Sequence, residues 1–195
     1  MNNSLLKHRA ELSAALAAGD YEQTDGGIIL LGGAKATGVY FHSVNGQDEQ
    51  IDSNLLPTEG LTHLLAVALG ATAKLPNWYL ALYSGAITPT ASWTASNFAA
   101  TASEIVSGTE GYSNATRPAF TAGTAAAGEI NNLAAKASFT IACTTSINVN
   151  GAGLLSNSGK GSTAGVLVSA SRFAQTRQLY NGDTFELGYR VTLTS

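Results

Sequence analysis

Few residues in this chain have both the type and the spacing to do chemistry. Glu59 and His63 stand four apart in a segment with helical patterning, so both fall on one face at an interval that can hold a metal. No third ligand stands at a matching interval, and a structural histidine is the better reading. His8 and His42 are equally isolated. Gly159-Lys160-Gly161-Ser162-Thr163 resembles the end of a phosphate-binding loop. That loop needs a glycine where Leu154 stands, and a serine or threonine directly after the lysine, where Gly161 stands. The stretch reads instead as a β-turn with a solvated lysine. Cys143 shares an alternating face with Phe139 and Ile141, where a thiol acts as a small apolar group, and no neighbouring base argues for a nucleophile. No Gly-x-Ser-x-Gly elbow and no compact carboxylate pair is present. Trp78, Tyr79, Trp93 and Tyr112 could stack on sugars, although such aromatics belong first to cores. The residues therefore lead to an expectation of no enzymatic activity, no cofactor and no metal.

The composition narrows the class of partner. Only 12% of residues are charged, the net charge is −3, and Lys and Arg are scattered, so no basic field exists to hold a phosphate backbone. Nucleic acid is not an expected partner. No apolar run reaches the roughly 18 residues that span a bilayer, so no membrane is expected either. At the N-terminus Lys7, Arg9 and Glu11 interrupt any signal-like apolar core. The single cysteine cannot pair within the chain.

The elements that would carry these residues are mostly strands. Phe185, Leu187, Tyr189, Val191 and Leu193 take every second position after the turn signal Asn181-Gly182-Asp183, which predicts a strand with one buried face. Phe139, Ile141 and Cys143 alternate in the same way, as do Ile147 and Val149 before a Gly151-Ala152-Gly153 kink. Gly165 to Ser169 predicts a further strand, and Trp78 to Tyr83 a central one with aromatics on both faces. Asn45-Gly46 is the dipeptide of a type I′ hairpin, whose polar return strand through Gln47 and Asp52 suggests a projecting ribbon or an edge. Pro57-Thr58-Glu59 opens a helix capped by Thr58, with Leu61, Leu64, Leu65, Ala68 and Leu69 on its core-facing stripe and Gly70 as its stop. A short helix is predicted over Ser96 to Ile105, and Ser4 to about Ala18 reads as a narrow-striped helix, either an arm or a first helix packed on the body. Short strands separated by Gly- and Ser-rich turns, with no β/α repeat, predict a mainly β fold: an antiparallel β-sandwich or jelly roll with an N-terminal helical arm and one or two short helices. The expected organisation is an arm over 1–22 and a body over 23–195, with a projecting hairpin over 23–54 and a long irregular loop over 85–128. A loop of that length in a compact domain usually carries function.

Several stretches, taken in order, resemble a family of small virion proteins of tailed bacteriophages. They are Leu55-Leu56-Pro57-Thr58-Glu59-Gly60-Leu61, Asn77-Trp78-Tyr79-Leu80-Ala81-Leu82-Tyr83, Glu110-Gly111-Tyr112 with Ala115-Thr116-Arg117-Pro118, Ala137-Ser138-Phe139-Thr140-Ile141, Gly151-Ala152-Gly153-Leu154-Leu155-Ser156 and Asn181-Gly182-Asp183-Thr184. The resemblance covers roughly residues 55–195, with 1–54 looking like a subgroup's own extension. It implies a head decoration or cement subunit on the capsid exterior, which binds the outer surface of the major capsid protein lattice as a homo-oligomer, dimer or trimer. On that reading Leu5, Leu12, Leu16, Tyr21, Trp93 and Phe98 are the expected partner contacts. A rival from another class is a tail-fibre or receptor-binding module whose exposed aromatics hold glycans. The third reading is a hydrolase.

Overall fold

The computed structural model of the chain describes residues 13–14, 21–24, 27–30 and 35–194. The chain forms two compact units, Met1–Lys35 with Leu193–Ser195, and Ala36–Thr192. In the first unit, β1 (Tyr21–Thr24) pairs antiparallel with β2 (Gly27–Leu30). Both strands lie within this unit, which extends to Lys35. The expected helix from Ser4 to Ala18 lies outside the described residues, apart from the helical Ser13 and Ala14.

The second unit is mainly β, as its alternating stretches predict. It contains β3 (Lys35–Val44), β4 (Gln47–Ser53), α1 (Thr58–Ala68), β5 (Tyr79–Tyr83), α2 (Ala95–Ala102), β6 (Gly111–Tyr112), β7 (Glu129–Asn131), β8 (Ala137–Ala142), β9 (Ile147–Leu155), β10 (Leu167–Leu179) and β11 (Thr184–Thr194). One antiparallel sheet runs β4-β3-β11-β8-β6, with β7 also on β11. The other runs β10-β9-β5. Tyr40, Phe139, Ile141, Phe185, Leu187 and Tyr189 from the larger sheet pack with Leu80, Leu82, Val149, Leu154 and Phe173 from the smaller in one core. On the opposite face of the smaller sheet, Ala81, Tyr83 and Leu155 meet Trp93, Phe98 and Ala102 in a second core.

Several expectations are corrected here. The Asn45-Gly46 turn forms with both residues at positive φ (54° and 71°), as a type I′ hairpin requires. The hairpin does not project, however. β3 is interior, with Tyr40 and His42 buried, and only β4 is an edge, blunted by its charged and polar side chains. In β11 the first three apolar residues are fully buried, but Leu193 is exposed, so the buried face is shorter than the alternation suggests. Gly151-Ala152-Gly153 is not a kink; it lies inside the continuous strand β9. A Cβ on Gly151 would lie 2.2 Å from Ser171 O and from the Tyr83 ring, and one on Gly153 would lie 2.8 Å from the Phe98 ring. These glycines let aromatic rings rest directly on the backbone. β10 is a single 13-residue strand with irregular register against β9, where the sequence shows only a short strand.

The segment 85–128 is not a free loop. Its residues complete the outer edge of β5: Leu80 N–H donates to Pro118 O (2.9 Å), Phe120 N–H to Trp78 O (2.8 Å) and Ile105 N–H to Leu82 O (2.9 Å). β5 thus ends its own sheet yet has neither a bare edge nor a bare face.

Candidate functional site

Three clusters of buried or part-buried ionisable side chains each tie segments of the fold together. In the first, Arg117 makes a two-pronged ion pair with Glu104, Nε to Oε1 and Nη2 to Oε2, both 2.7 Å, with both side chains fully buried. The same guanidinium donates to Asn157 O (2.9 Å), and the Gly161 N–H donates to Glu104 (3.0 Å). Three turns distant in sequence are therefore fastened by one charge-assisted fork. Lys160, expected to be solvated, is corrected here. Its ammonium lies 3.7 Å from the Tyr112 ring centroid and donates to Tyr112 O (2.7 Å). Burial holds its pKa below the usual lysine value, against the opposing pull of Glu104.

In the second cluster, His42 Nε2 lies 2.8 Å from Asp52 Oδ2, and the imidazole stacks on Phe173 at a centroid distance of 3.9 Å. The other oxygen of Asp52 accepts the Ala174 N–H (2.8 Å), which joins the edge strand of one sheet to β10 of the other. Burial pulls the His42 pKa below its ordinary value, outweighing the upward pull of Asp52.

The third cluster decides how α1 lies. Glu59 Oε2 accepts the Ala95 N–H (2.8 Å) at the start of α2 and the Leu167 N–H (2.7 Å) at the start of β10. Next to it, Gly60 is buried so tightly that a Cβ would come within 2.5 Å of Val168 O. These two residues rotate the helix, so its inward side is Glu59, Gly60, His63 and Val67. Leu61, Leu64, Leu65 and Leu69, expected in the core, face out with exposures of 42, 37, 61 and 86%. Thr58 is the first helical residue and not a side-chain cap; the cap position is Pro57. In the Glu59 and His63 pair a single carboxylate oxygen, Oε2, accepts both backbone N–H groups, and the His63 ring packs edge-on to Trp78 at 5.6 Å. Among the described residues, no three His, Cys, Asp or Glu side chains converge as metal ligands.

Beside α1 lies a mostly apolar cavity of about 600 Å3, with Leu64, Val67, Trp78, Phe120, Leu154 and Val191 among its lining residues and Lys74 as its one full charge. It adjoins the exposed leucines of α1, and apolar surfaces of this kind mark contact sites.

The residues expected to touch partners fare differently. Trp93 and Phe98 are 2% and 0% exposed, stacked edge to face at 6.1 Å in the second core, so they are not available as contacts. They are buried because α2 lays its apolar side across β5 and β9. Leu5, Leu12 and Leu16 lie outside the described residues, as does the side chain of Tyr21, although its backbone is in β1. Of the aromatics considered for sugar stacking, Tyr112 is also fully buried, while Trp78 and Tyr79 are half-buried. The leucine face of α1 escaped the sequence reading as a surface. The signal for it was Gly60: a glycine in a helix costs about 1 kcal/mol against alanine, so its presence marks the side that must approach a backbone closely.

Compared with protein-family models and with curated proteins, the chain has no match.

Proposed function

We propose that this chain is a non-enzymatic structural protein of a bacteriophage virion, a decoration or cement subunit that binds the outer surface of the capsid lattice and stabilises the head. The observation that carries the reading is the pairing of a rigid body with an outward apolar helix face. The buried ionisable groups fasten loops and strands to each other, and the apolar surface beside α1 carries a single full charge, Lys74. Such a surface suits association with other protein subunits. The resemblance of residues 55–195 to small phage virion proteins supplies the class of partner, the major capsid protein. The burial of Trp93 and Tyr112 removes two of the four aromatics on which the glycan-binding rival depends.

The test is decoration of purified phage heads that lack the protein. Saturable binding to heads, with an increased resistance of the heads to heat, supports the reading. Binding to a glycan array with none to heads replaces it by the receptor-binding reading. Removal of residues 1–20 is expected to leave a folded body that decorates poorly, and full decoration by the shortened chain refutes a role for that segment.

A further inference from the structure

We infer that residues 173–176 of β10 form a strap closed over His42, and that protonation of this imidazole releases the strap while the rest of the sandwich stays folded. The device lies inside the unit and is independent of where the protein binds.

The strap exists because β10 outruns its partner along this stretch. Arg172 pairs with Gly151 and Arg177 with Val149, so four residues of β10 stand opposite the single residue Asn150 of β9. An excess of that kind takes backbone groups out of the ladder and re-aims side chains. Phe173 turns inward, 3% exposed, and stacks on the His42 ring at 3.9 Å, whereas Ala174, Gln175 and Thr176 are exposed. Two side chains tether the stretch. Asp52 Oδ1 accepts the Ala174 N–H (2.8 Å), and Asn150 Oδ1 accepts the Thr176 hydroxyl (2.7 Å). Either end is held more firmly: Leu55 and Ala170 exchange two backbone hydrogen bonds (2.8 and 3.0 Å), and Arg177 grips both the carboxylate (2.8 Å) and the carbonyl (3.1 Å) of Asp48. The strap can therefore open between two fixed points.

His42, beneath it, is the group that responds to acid. The ring is fully buried between Phe173 and Phe185, the latter at a centroid distance of 5.7 Å. Nε2 lies 2.8 Å from Asp52 Oδ2, and Nδ1 has no hydrogen-bond partner among the described residues. A carboxylate only accepts, so the neutral ring carries its hydrogen on Nε2. Protonation then places an N–H at Nδ1 in an apolar slot without an acceptor. The charges facing the ring come from two strands. Asp52 and Asp48 on β4 favour the imidazolium, Arg177 on β10 opposes it, and Phe185 on β11 brings no charge. Burial outweighs the acidic pair and holds the pKa below its ordinary value. Lifting Phe173 lets water reach Nδ1, so the open form takes up the proton more readily than the closed one. The closed strap is fully favoured above about pH 6.5 and loses ground as the pH falls below it.

Amide hydrogen exchange of the full chain, followed by nuclear magnetic resonance and corrected for the intrinsic pH dependence of exchange, tests this. Between pH 6 and pH 5 the protection of the Ala174 amide is expected to fall roughly three- to eightfold, the upper figure applying when the closed form takes up no proton. The amides of Leu80 and Ile105, bonded to Pro118 O and Leu82 O at the far edge of the smaller sheet, are expected to keep theirs. His42→Gln removes the titrating group and is expected to flatten the Ala174 response. Steady protection of Ala174 across this range overturns the inference, and so does an equal loss at Leu80 and Ile105, which marks unfolding of the whole unit. A response that persists in a folded His42→Gln chain overturns it too. Should that variant fail to fold, the wild-type comparison of Ala174 with Leu80 and Ile105 decides, together with the midpoint of the His42 ring, which overturns the inference if it lies above about 6.5.

Discussion

The two helices of the sandwich unit have similar amphipathic patterns and opposite fates. α2 places Ala95, Phe98 and Ala102 inward, against Tyr83, Leu155 and Trp93. α1 carries the richer apolar stripe and turns it away, burying only Gly60 completely. The difference comes from the first turn of each. α2 begins with Thr94 N–H donating to Asn97 Oδ1 (2.9 Å), a local contact that leaves its apolar side free to face the sheet. α1 begins with a carboxylate that reaches two distant backbone groups and a glycine that fits only against backbone. A charge-assisted anchor and one close approach outrank four leucines, because those leucines can be covered by another chain, whereas a buried N–H without an acceptor cannot.

That contrast can be broken or sharpened by substitution. The largest effect is expected beneath both helices: Leu187→Asp sets a charge in the main core and should give no soluble folded chain, and a normally folded variant would show that β11 faces the other way. Phe98→Ala should lower stability by about 3–5 kcal/mol in denaturant unfolding, as truncation of a fully buried aromatic does; a loss below 1 kcal/mol would mean that α2 is no more engaged than α1. Arg117→Met strands the buried Glu104 carboxylate and should cost about 3–5 kcal/mol by the same measurement, with stability partly restored by the second change Glu104→Gln. Acid should weaken the fold through His42. Its folded pKa lies below its usual value, so the unfolded chain takes up the proton first and stability falls as pH drops below about 6.5. Nuclear magnetic resonance should give the imidazole a midpoint below that pH, and a midpoint above it would mean that Asp52, not burial, governs the ring. The smallest effect is expected at Leu69→Ala, within about 0.5 kcal/mol of wild type in dilute solution. A large loss there would place the leucine stripe in the core after all.

The parts of this fold that could be read from sequence are those whose cause is local. Alternation in Phe139 to Cys143 and Phe185 to Tyr189, and the paired turn residues Asn45-Gly46, act within a few positions, and the strands and hairpin formed where they point. The clasp of Glu104, Arg117 and the 157–161 turn could not be read in this way, since its members are separated by up to 57 positions and become neighbours only when the sheets are built. The same holds for Trp93 and Phe98, which looked like free aromatics in an irregular stretch because the glycines that make room for rings, Gly151 and Gly153, lie far downstream. For the candidate surface, the leucines were visible but their direction was not: helical periodicity groups residues on a face without saying which way that face turns.

The placement of β11 between β3 and β8 has a consequence for how the molecule is made. Val44 emerges during synthesis about 140 residues before Thr184, an interval of about 10–30 s at ordinary translation speeds. Throughout it the rim of β3 lacks its neighbour, and once Ala142 has been made β8 awaits the same missing strand. Crowded nascent chains could zip together along those rims, so the yield of native protein in the cell should depend on holding chaperones more than its final stability would suggest.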